Sequence, residues 1–230
     1  MPSIPDSLAR EIDRHEYVCG SDEVGYGAWA GPLVVCAAVS SNREILASHK
    51  DGMVVSPTDS KKLTIAQRES LYPVLVKTVT HAIVRIEPEE IDAQGLGRVW
   101  EAAHVRAIQE ALDAHKGNGH EEVPLVIVDG NRSVFGATAL PKADLLVPAV
   151  SMASILAKVY RDRLMYEMDE KYPGYGFKKH VGYGTAQHKT ALSQHGVTPI
   201  HRKSYAPIAA MLKPETSNVL DLIESLEQDV

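Results

Sequence analysis

The stretch YVCGSDEVGYGAWAGPLVVCAAVS, residues 17–40, contains the strongest fold signal in the chain. Its two ends, residues 17–25 and 31–40, the second containing the apolar run LVVCAAV, predict two strands joined by a glycine-rich connection. Asp22 and Glu23 stand near the end of the first predicted strand. Adjacent residues of a strand point to opposite faces, so both acids can reach one site only if the strand ends there.

The connection between the two strands is rich in glycine, with the string GYG at 25–27 and a further glycine at Gly31. Glycine tolerates a positive φ and leaves backbone N–H groups uncovered, so such a loop can approach a ligand closely. Acids beside an open backbone suit a site that holds a metal ion and also approaches a sugar-phosphate chain. A glycine-rich hairpin with solvated acids is the alternative interpretation.

In the remaining sequence, short apolar runs alternate with segments in which apolar residues recur at helical spacing. This pattern predicts a mixed sheet with helices on its faces. Further strands are predicted at 78–86, 125–130 and 143–150. Helices are predicted at 65–72, 98–115, 151–171, 185–195 and 218–228. Thr64 is the predicted N-cap of the first of these helices, and Pro73 is predicted to stop or kink it.

Composition excludes several classes of protein. The 230 residues are 44% hydrophobic and 23% charged, unlike disordered or collagen-like chains, and the net charge of −6 excludes a globally basic nucleic-acid binder. Cys19 and Cys36 are too few for a disulfide framework and predict buried free thiols. The sequence shows neither a signal peptide nor an apolar run long enough to span a membrane, which predicts a soluble, cytoplasmic protein.

Positive charge is concentrated near the C-terminus. Residues 171–213 contain seven Lys and Arg, four His and no Asp or Glu. This stretch predicts a face that meets an anionic partner, although acidic neighbours in space could balance it instead. The spacing of its histidines matches no zinc site.

Other positions could contribute to the same chemistry. Asp129 ends a predicted strand, where ligands often bind in α/β sheets, but it could instead start a turn. Asp144 begins the last predicted strand. Lys61 and Lys62 precede a helix and could meet phosphate, and Tyr183 stands between two glycines, where its ring could stack on a base or sugar; ordinary surface lysines and a packed loop tyrosine are the alternatives. Converging carboxylates would favour hard cations such as Mg²⁺ or Mn²⁺.

Taken in order, seven motifs make the chain similar to the ribonuclease HII family, the type 2 ribonucleases H. The motifs are GSDEVGYG with GP (20–32), DSKKL (59–63), VDGNR (128–132), KAD (142–144), SMASILAKVYRDR (151–163), YPGYGFKKHVGYGT (172–185) and TPIHRKSYAP (198–207). The resemblance implies an α/β ribonuclease H-like fold, with a five-stranded mixed sheet flanked by helices. It also implies an N-terminal extension (1–16), a catalytic core (17–170) and a C-terminal helical substrate-binding part of the same domain (171–230).

The resemblance further implies a catalytic quartet that binds two divalent ions, Mg²⁺ or Mn²⁺. The four acids of that quartet would be Asp22, Glu23, Asp129 and Asp144. Asp144 is preferred to Asp162 because the family's fourth acid lies ten residues before the serine of an ASI string, here Ser154.

Substrate contacts are implied in the same way. The backbone of Gly25, Tyr26 and Gly27 would contact the ribose 2′-OH, and Tyr183 would stack on the deoxyribose after the ribonucleotide. Tyr26 replaces the arginine that is usual at this position, so the chain lacks that arginine's interaction with the nucleic-acid backbone. The candidates for phosphate contacts are Lys61, Lys62, Lys178, Lys179, Arg202 and Lys203.

The implied activity is that of an endonuclease that cuts the RNA strand of RNA–DNA hybrids and incises 5′ of ribonucleotides embedded in duplex DNA. The products would carry 3′-OH and 5′-phosphate ends, as in ribonucleotide excision during DNA replication and repair. The expected partners are these nucleic acids, with no membrane and no obligate protein partner. Alternatives are a hybrid-only nuclease resembling ribonuclease HIII, a non-catalytic hybrid-binding module, and another ribonuclease H-like nuclease such as a junction resolvase.

Overall fold

The computed structural model describes residues 3–41, 63–134 and 136–213. Within these ranges five strands form one sheet in the order β3-β2-β1-β4-β5. The strands are β1 (Tyr17–Val24), β2 (Leu33–Ser41), β3 (Thr80–Ile86), β4 (Leu125–Asp129) and β5 (Thr138–Leu140). β1 runs antiparallel to β2 and parallel to β4, so the predicted five-stranded mixed sheet is confirmed.

Helices cover both faces of this sheet. They are α1 (Asp6–Ile12), α2 (Ile65–Thr78), α3 (Pro88–Gln94), α4 (Leu96–Gly117), α5 (Pro148–Lys171), α6 (Phe177–His180), α7 (Ala186–His195) and α8 (Ala206–Leu212). No helix in the described ranges has an apolar run that could cross a bilayer. The helix predicted at 218–228 lies outside the described residues.

Helix α2 begins as predicted but does not stop at Pro73. Thr64 and Gln67 form a reciprocal capping box, an arrangement in which the N-cap alone contributes about 1 kcal/mol. Pro73 lies inside the helix, where its exposed position lets water satisfy the carbonyl that loses its N–H partner. Leu75, one half-turn later, is buried in the cluster that packs α2 against α5, and this packing carries the helix on to Thr78. The strand predicted from residue 78 therefore begins at Thr80.

The strand predicted at 143–150 is wrong. That segment forms a 3₁₀ turn, Ala143–Leu145, and the first residues of α5, while the fifth strand lies upstream at β5. Pro148 fits the first turn of a helix because its fixed φ is helical and its missing N–H has no intrahelical partner there. Val147, Ala149 and Val150 are apolar because they pack beneath the sheet.

Side chains of the central strands alternate between the two helical layers. On β2, Val35 and Ala37 belong to the cluster that includes α4, whereas Val34 and Cys36 belong to the cluster that includes α5. Cys19 and Cys36 are buried free thiols, as predicted. The same alternation continues along β1 to its two acidic residues.

The N-terminal half of α5 lies very close to β1. A Cβ atom on Gly20 would stand 2.2 Å from the backbone nitrogen of Val150, so a side chain at this position would collide with the helix backbone. One helical turn beyond Val150, Ser154 hydrogen-bonds the Asp22 side chain. The small residue on the strand therefore allows the helix to bring a hydroxyl to the end of β1.

Helices α6, α7 and α8 pack on the C-terminal half of α5. Their shared core contains Met165, Tyr175, Phe177, Leu192 and Ile208, all buried. Trp29 and Ala30, from the connection between β1 and β2, also pack against this core. The C-terminal part is thus joined directly to the glycine-rich connection.

Candidate active site

Two carboxylates come together at the ends of neighbouring parallel strands. The register between β1 and β4 pairs Ser21 with Val128, and Asp22 and Asp129 follow these two residues directly. Both strands run in the same direction, so both acids lie at the same edge of the sheet. The sequence prediction that Asp22 and Asp129 belong to one site requires this proximity.

Asp22 is buried and crowded by negative charge. Burial raises the pKa of its carboxyl well above the ordinary value, and the neighbouring Glu23 and, to a smaller extent, Asp129 raise it further. Hydrogen bonds from Ser154 and from the backbone N–H of Glu23, the latter at 2.8 Å, work in the opposite direction. A cation bound next to this buried acid and its two acidic neighbours would offset their mutual repulsion.

Glu23 points toward the other helical layer. Its Oε2 lies 3.2 Å from Nε2 of His104 on α4, and Nδ1 of His104 lies 2.8 Å from Oγ of Ser21. Sequence reasoning did not identify His104. The available signal was a polar residue within the buried stripe of α4, beside Ala103 and Ala107.

Asp129 is tied to the segment that carries Asp144. Its Oδ1 accepts a 2.6 Å hydrogen bond from the backbone N–H of Ala143, and Asp144 is the next residue, buried in the 3₁₀ turn. Asp162, the acid not preferred from the sequence, is instead 2.6 Å from Nζ of Lys158 and 4.0 Å from Nη2 of Arg68. Asp162 thus has basic partners, whereas the surroundings of Asp22 are acidic.

The donor chemistry of this acidic group fits a hard divalent cation, because carboxylate oxygens are ligands that Mg²⁺ and Mn²⁺ favour. Across residues 3–41, 63–134 and 136–213, no three His, Cys, Asp or Glu side chains already enclose an ion position. Asp22, Glu23 and Asp129 each direct one carboxylate oxygen at a protein partner instead. Metal binding would exchange some of these hydrogen bonds for bonds to the ion.

Two of the acids, Glu23 and Asp129, line a surface cleft. Its lining residues are Glu23, Tyr26, Trp100, Asp129, Gly130, Asn131 and Arg132. The guanidinium carbon of Arg132 lies 4.5 Å from the centre of the Trp100 ring, which places a cation over an aromatic face at the cleft wall. The cleft therefore combines carboxylates with a positive group.

The glycine loop, residues 25–32, borders this cleft. Gly25 has a φ of 86°, and a Cβ atom there would lie 2.2 Å from Nε of Arg161. Its backbone N–H donates to Oη of Tyr183 at 3.3 Å. The structure thus brings together Gly25 and Tyr183, which are far apart in the sequence, and both Tyr183 and Tyr26 remain partly exposed at 37% and 41%.

The basic candidates fall into two groups. Lys178, Lys179 and Lys203 are exposed, as a role in phosphate binding requires. Arg202 is fully buried, so its prediction as a phosphate contact is wrong. Its Nη1 donates to the carbonyl of Tyr26 at 2.9 Å and its Nε to that of Gly31 at 3.1 Å, and these backbone acceptors account for its burial. Lys61 and Lys62 lie outside the described residues.

Arg161, also fully buried, was not identified from the sequence. Its three nitrogens donate to the carbonyls of Pro32 at 2.8 Å, Val181 at 2.8 Å and Ala30 at 3.1 Å. Burial lowers the pKa of Arg161 to about 10, which leaves the guanidinium charged at neutral pH. A basic residue in the buried stripe of α5, between Ala157 and Met165, was the available signal.

Comparisons with known proteins agree with this architecture. A family model described as ribonuclease HII matches residues 19–208. A ribonuclease HII of Ralstonia nicotianae is 42% identical over 199 residues, which cover 85% of this chain and 79% of the relative. A ribonuclease HII of Hyphomonas neptunium is 38% identical over 208 residues, which cover 86% of this chain and 97% of the relative. The crystal structure of ribonuclease H2 from Pyrococcus horikoshii superposes with a TM-score of 0.66 at 28% identity, covering 85% of this chain and 96% of that one.

Proposed function

The chain belongs to the ribonuclease HII family, and we propose that it cuts the RNA strand of RNA–DNA hybrids and incises 5′ of ribonucleotides embedded in duplex DNA. One observation carries this proposal. Glu23 and Asp129, the acidic neighbours of the buried Asp22, line one cleft with Tyr26 of the glycine loop, and Tyr183 is hydrogen-bonded to the same loop at Gly25. The acids proposed for hydrolysis and the loop proposed for ribose recognition would thus act on a substrate bound in one cleft.

The acids Asp22, Glu23, Asp129 and Asp144 would hold two divalent ions, Mg²⁺ or Mn²⁺. Such ions, when bound, supply an activated water and neutralise charge on the leaving oxygen of a phosphodiester. The protein's own task is to keep the acids oriented. Ser154 directs Asp22 from α5, while His104 directs Glu23 from α4. Hydrolysis with departure of the 3′-oxygen would leave 3′-OH and 5′-phosphate ends.

Recognition of the ribose 2′-OH is assigned to the backbone of Gly25, Tyr26 and Gly27. Nothing in the described part of the chain accepts a hydrogen bond from the N–H of Tyr26 or Gly27, and both residues are exposed. A hydroxyl group is the feature that separates RNA from DNA at a given position. Tyr183, whose hydroxyl accepts from Gly25, would stack on the deoxyribose that follows the ribonucleotide.

The C-terminal helical part, from residue 171, would bind the phosphate backbone. Lys178, Lys179 and Lys203 are exposed cations in a stretch that has no acidic residue. Lys61 and Lys62 remain predictions for the other side of the cleft. Residues 17–170 would form the catalytic core, and the activity would serve ribonucleotide excision during DNA replication and repair.

One observation favours the narrower alternative of a hybrid-only nuclease. Tyr26 stands where an arginine is usual, which removes a positive side chain near the junction between RNA and DNA. Under this alternative, wild type cuts continuous hybrids but not single embedded ribonucleotides, and Tyr26→Arg raises cleavage at the single ribonucleotide. A non-catalytic hybrid-binding module would bind both substrates and cut neither.

The test is cleavage of three labelled duplexes by the full chain. One duplex carries a single embedded ribonucleotide, the second is a continuous RNA–DNA hybrid, and the third is plain DNA. We expect cleavage of the first two in Mg²⁺ or Mn²⁺, none in EDTA, and none of plain DNA. Cleavage of plain DNA, or ribonucleotide cleavage that survives EDTA, would contradict the proposal.

A further inference from the structure

Two fully buried arginines from different parts of the chain contact the glycine loop. Arg161 reaches it from α5 and Arg202 reaches it from the segment before α8, and neither has any exposed surface. Between them, their guanidinium groups hydrogen-bond four carbonyls of the loop: those of Tyr26, Ala30, Gly31 and Pro32. Two buried side chains therefore fix the orientation of these four carbonyls.

The partners of these two cations are unusual. Within the described ranges no carboxylate lies at ion-pair distance from either guanidinium, and the two groups donate to backbone carbonyls and to the Tyr205 hydroxyl. Nη2 of Arg202 is buried with no hydrogen-bond partner among the described residues. A buried charge without a counter-ion is costly, so its presence beside a substrate-facing loop indicates a function.

The geometry of one peptide bond indicates what that function is. The carbonyl of Tyr26 accepts from Arg202 at 2.9 Å and from the Tyr205 hydroxyl at 2.5 Å, so it points into the protein. The described residues contain no cis peptide bond, and in a trans peptide the C=O and the following N–H point in opposite directions. The N–H of Gly27 must therefore point outward, toward the cleft side of the loop.

Arg161 fixes the other part of the arrangement. Besides the loop carbonyls it bonds the carbonyl of Val181, and its guanidinium carbon lies 5.7 Å from the centre of the Tyr183 ring. It therefore connects the glycine loop to the segment that carries Tyr183. Because Gly25 lies against Nε of Arg161, the loop has no room to shift toward the helix.

We propose that Arg161 and Arg202 are positioning residues for ribose recognition: Arg202 holds the Tyr26 carbonyl inward so that the N–H of Gly27 faces the 2′-OH, and Arg161 fixes the rest of the loop against the segment that carries Tyr183. Arg202 thus acts through the carbonyl of Tyr26 and does not bind a phosphate. The inference rests on the proposed function, since it concerns the same loop. It adds residues that do not themselves touch the substrate.

The test compares Arg202→Lys with its neighbour Lys203→Gln in the full chain. Lysine keeps the charge but lacks the planar fork that reaches two carbonyls. For Arg202→Lys we expect kcat/KM on both ribonucleotide-containing duplexes to fall on the order of ten- to hundredfold, the cost of a small misplacement. Its affinity for plain DNA, and the salt dependence of that affinity, should match wild type. Lys203→Gln should instead flatten the slope of log K against log[salt] by about 0.9.

A second variant tests the route through Tyr26. Tyr205→Phe removes the other donor to the Tyr26 carbonyl and leaves both arginines in place. It should lower kcat/KM on the ribonucleotide duplexes in the same direction, and its effect should be non-additive with Arg202→Lys because both act on one carbonyl. If Arg202→Lys fails to fold, Tyr205→Phe alone still tests the proposal. Arg163→Lys, an exposed arginine on α5, is the matched control and should match wild type.

Four outcomes overturn the inference. A flatter salt slope for Arg202→Lys would make Arg202 a phosphate-binding residue. A loss of thermal stability in both Arg202→Lys and Tyr205→Phe, with unchanged kcat/KM well below the melting temperature, would make the arrangement purely structural. A wild-type protein without ribonucleotide-dependent cleavage would remove the proposed function and this inference with it, whereas active wild type with unaffected variants removes the inference alone.

Discussion

Nε2 of His188 and Nε2 of His201 lie 3.0 Å apart in the interior of the C-terminal part, where both side chains are fully buried. Their partners define which nitrogen carries each proton. Nδ1 of His201 accepts from the backbone N–H of Thr198 at 3.0 Å, so His201 donates from Nε2 to His188. His188 in turn donates from Nδ1 to the carbonyl of Tyr183 at 3.0 Å. This chain of bonds requires both rings to be neutral.

Acid should therefore destabilise the protein through these two histidines. Burial lowers the pKa of His188 and of His201 to about 4, whereas unfolded histidines titrate near 6.5. The unfolded chain binds protons first, so the stabilisation is present above pH ~6.5 and is lost as the pH falls toward ~4. Each unit of pKa difference corresponds to about 1.4 kcal/mol. Urea unfolding between pH 7.5 and 4.5 measures the effect.

The comparison variant for that experiment is His188→Gln, which removes one titrating ring. It should unfold at lower urea concentration at pH 7.5 and lose less further stability on acidification than wild type does. An unchanged dependence on pH would show that other groups dominate this range.

Asp22→Asn should separate stability from activity. Burial and the neighbouring Glu23 raise the pKa of Asp22, so ionising this carboxyl costs stability: its contribution is present at low pH and is lost as the pH rises through the folded value. A neutral amide removes that cost. We expect the metal-free variant to melt at a higher temperature than wild type at pH 7.5 in EDTA, and to lose activity by orders of magnitude in Mg²⁺.

Asp162→Asn is the matched control, because Asp162 is as buried as Asp22 but is paired with Lys158 and Arg68. Its removal leaves buried positive charge without a partner, so the melting temperature should fall. If both substitutions shift the melting temperature in the same direction, the electrostatic account of Asp22 is wrong.

The exposed lysines of the C-terminal part should set the salt dependence of binding. Replacing Lys178 and Lys179 by glutamine should flatten the slope of log K against log[salt] on duplex DNA by about 0.9 for each phosphate that is no longer neutralised. Arg106→Gln, on the outer side of α4 and paired with Glu110, should leave the slope unchanged. Fluorescence anisotropy with labelled plain DNA at several salt concentrations gives both slopes. Equal slopes for wild type and the double variant would place the nucleic acid elsewhere.

Tyr183→Ala should affect a single embedded ribonucleotide more than a continuous hybrid, because the proposed stacking partner is a deoxyribose. Removal of one stacking ring costs about 1–3 kcal/mol, or roughly 5- to 150-fold in kcat/KM. Tyr183→Phe keeps the ring and removes only the hydroxyl that accepts from Gly25, so its loss of activity should be smaller. An equal reduction on both substrates would make Tyr183 a general binding or structural residue.

The sequence predicted the sheet well because its strands carry strong local signals. Residues 33–39 are apolar and include three valines, and all of β2 is buried, so local preference and tertiary packing agree. They disagree at 143–150, where the apolar residues serve a 3₁₀ turn and the start of a helix. A single apolar run does not distinguish a strand from a buried turn, and the strand signal of the three-residue β5 is weak beside it.

The acids of the candidate site stand out in the sequence because each follows or lies near an apolar run, whereas the residues that contact them do not stand out. His104 and Arg161 look in sequence like ordinary polar residues of amphipathic helices, since burial depends on what packs against the helix. Arg202 was misassigned for the same reason: its positive charge is visible in the sequence, whereas the carbonyls that surround it are contributed by residues 26 and 31.

The opposite orientations of Asp22 and Glu23 make the arrangement of the two acids depend on both helical layers. Asp22 is held by Ser154 on one side of the sheet and Glu23 by His104 on the other. Helix α5 is synthesised well after α4, and until it docks Asp22 lacks its hydroxyl partner. The acidic group therefore reaches its described arrangement only when both helical layers have packed on the sheet.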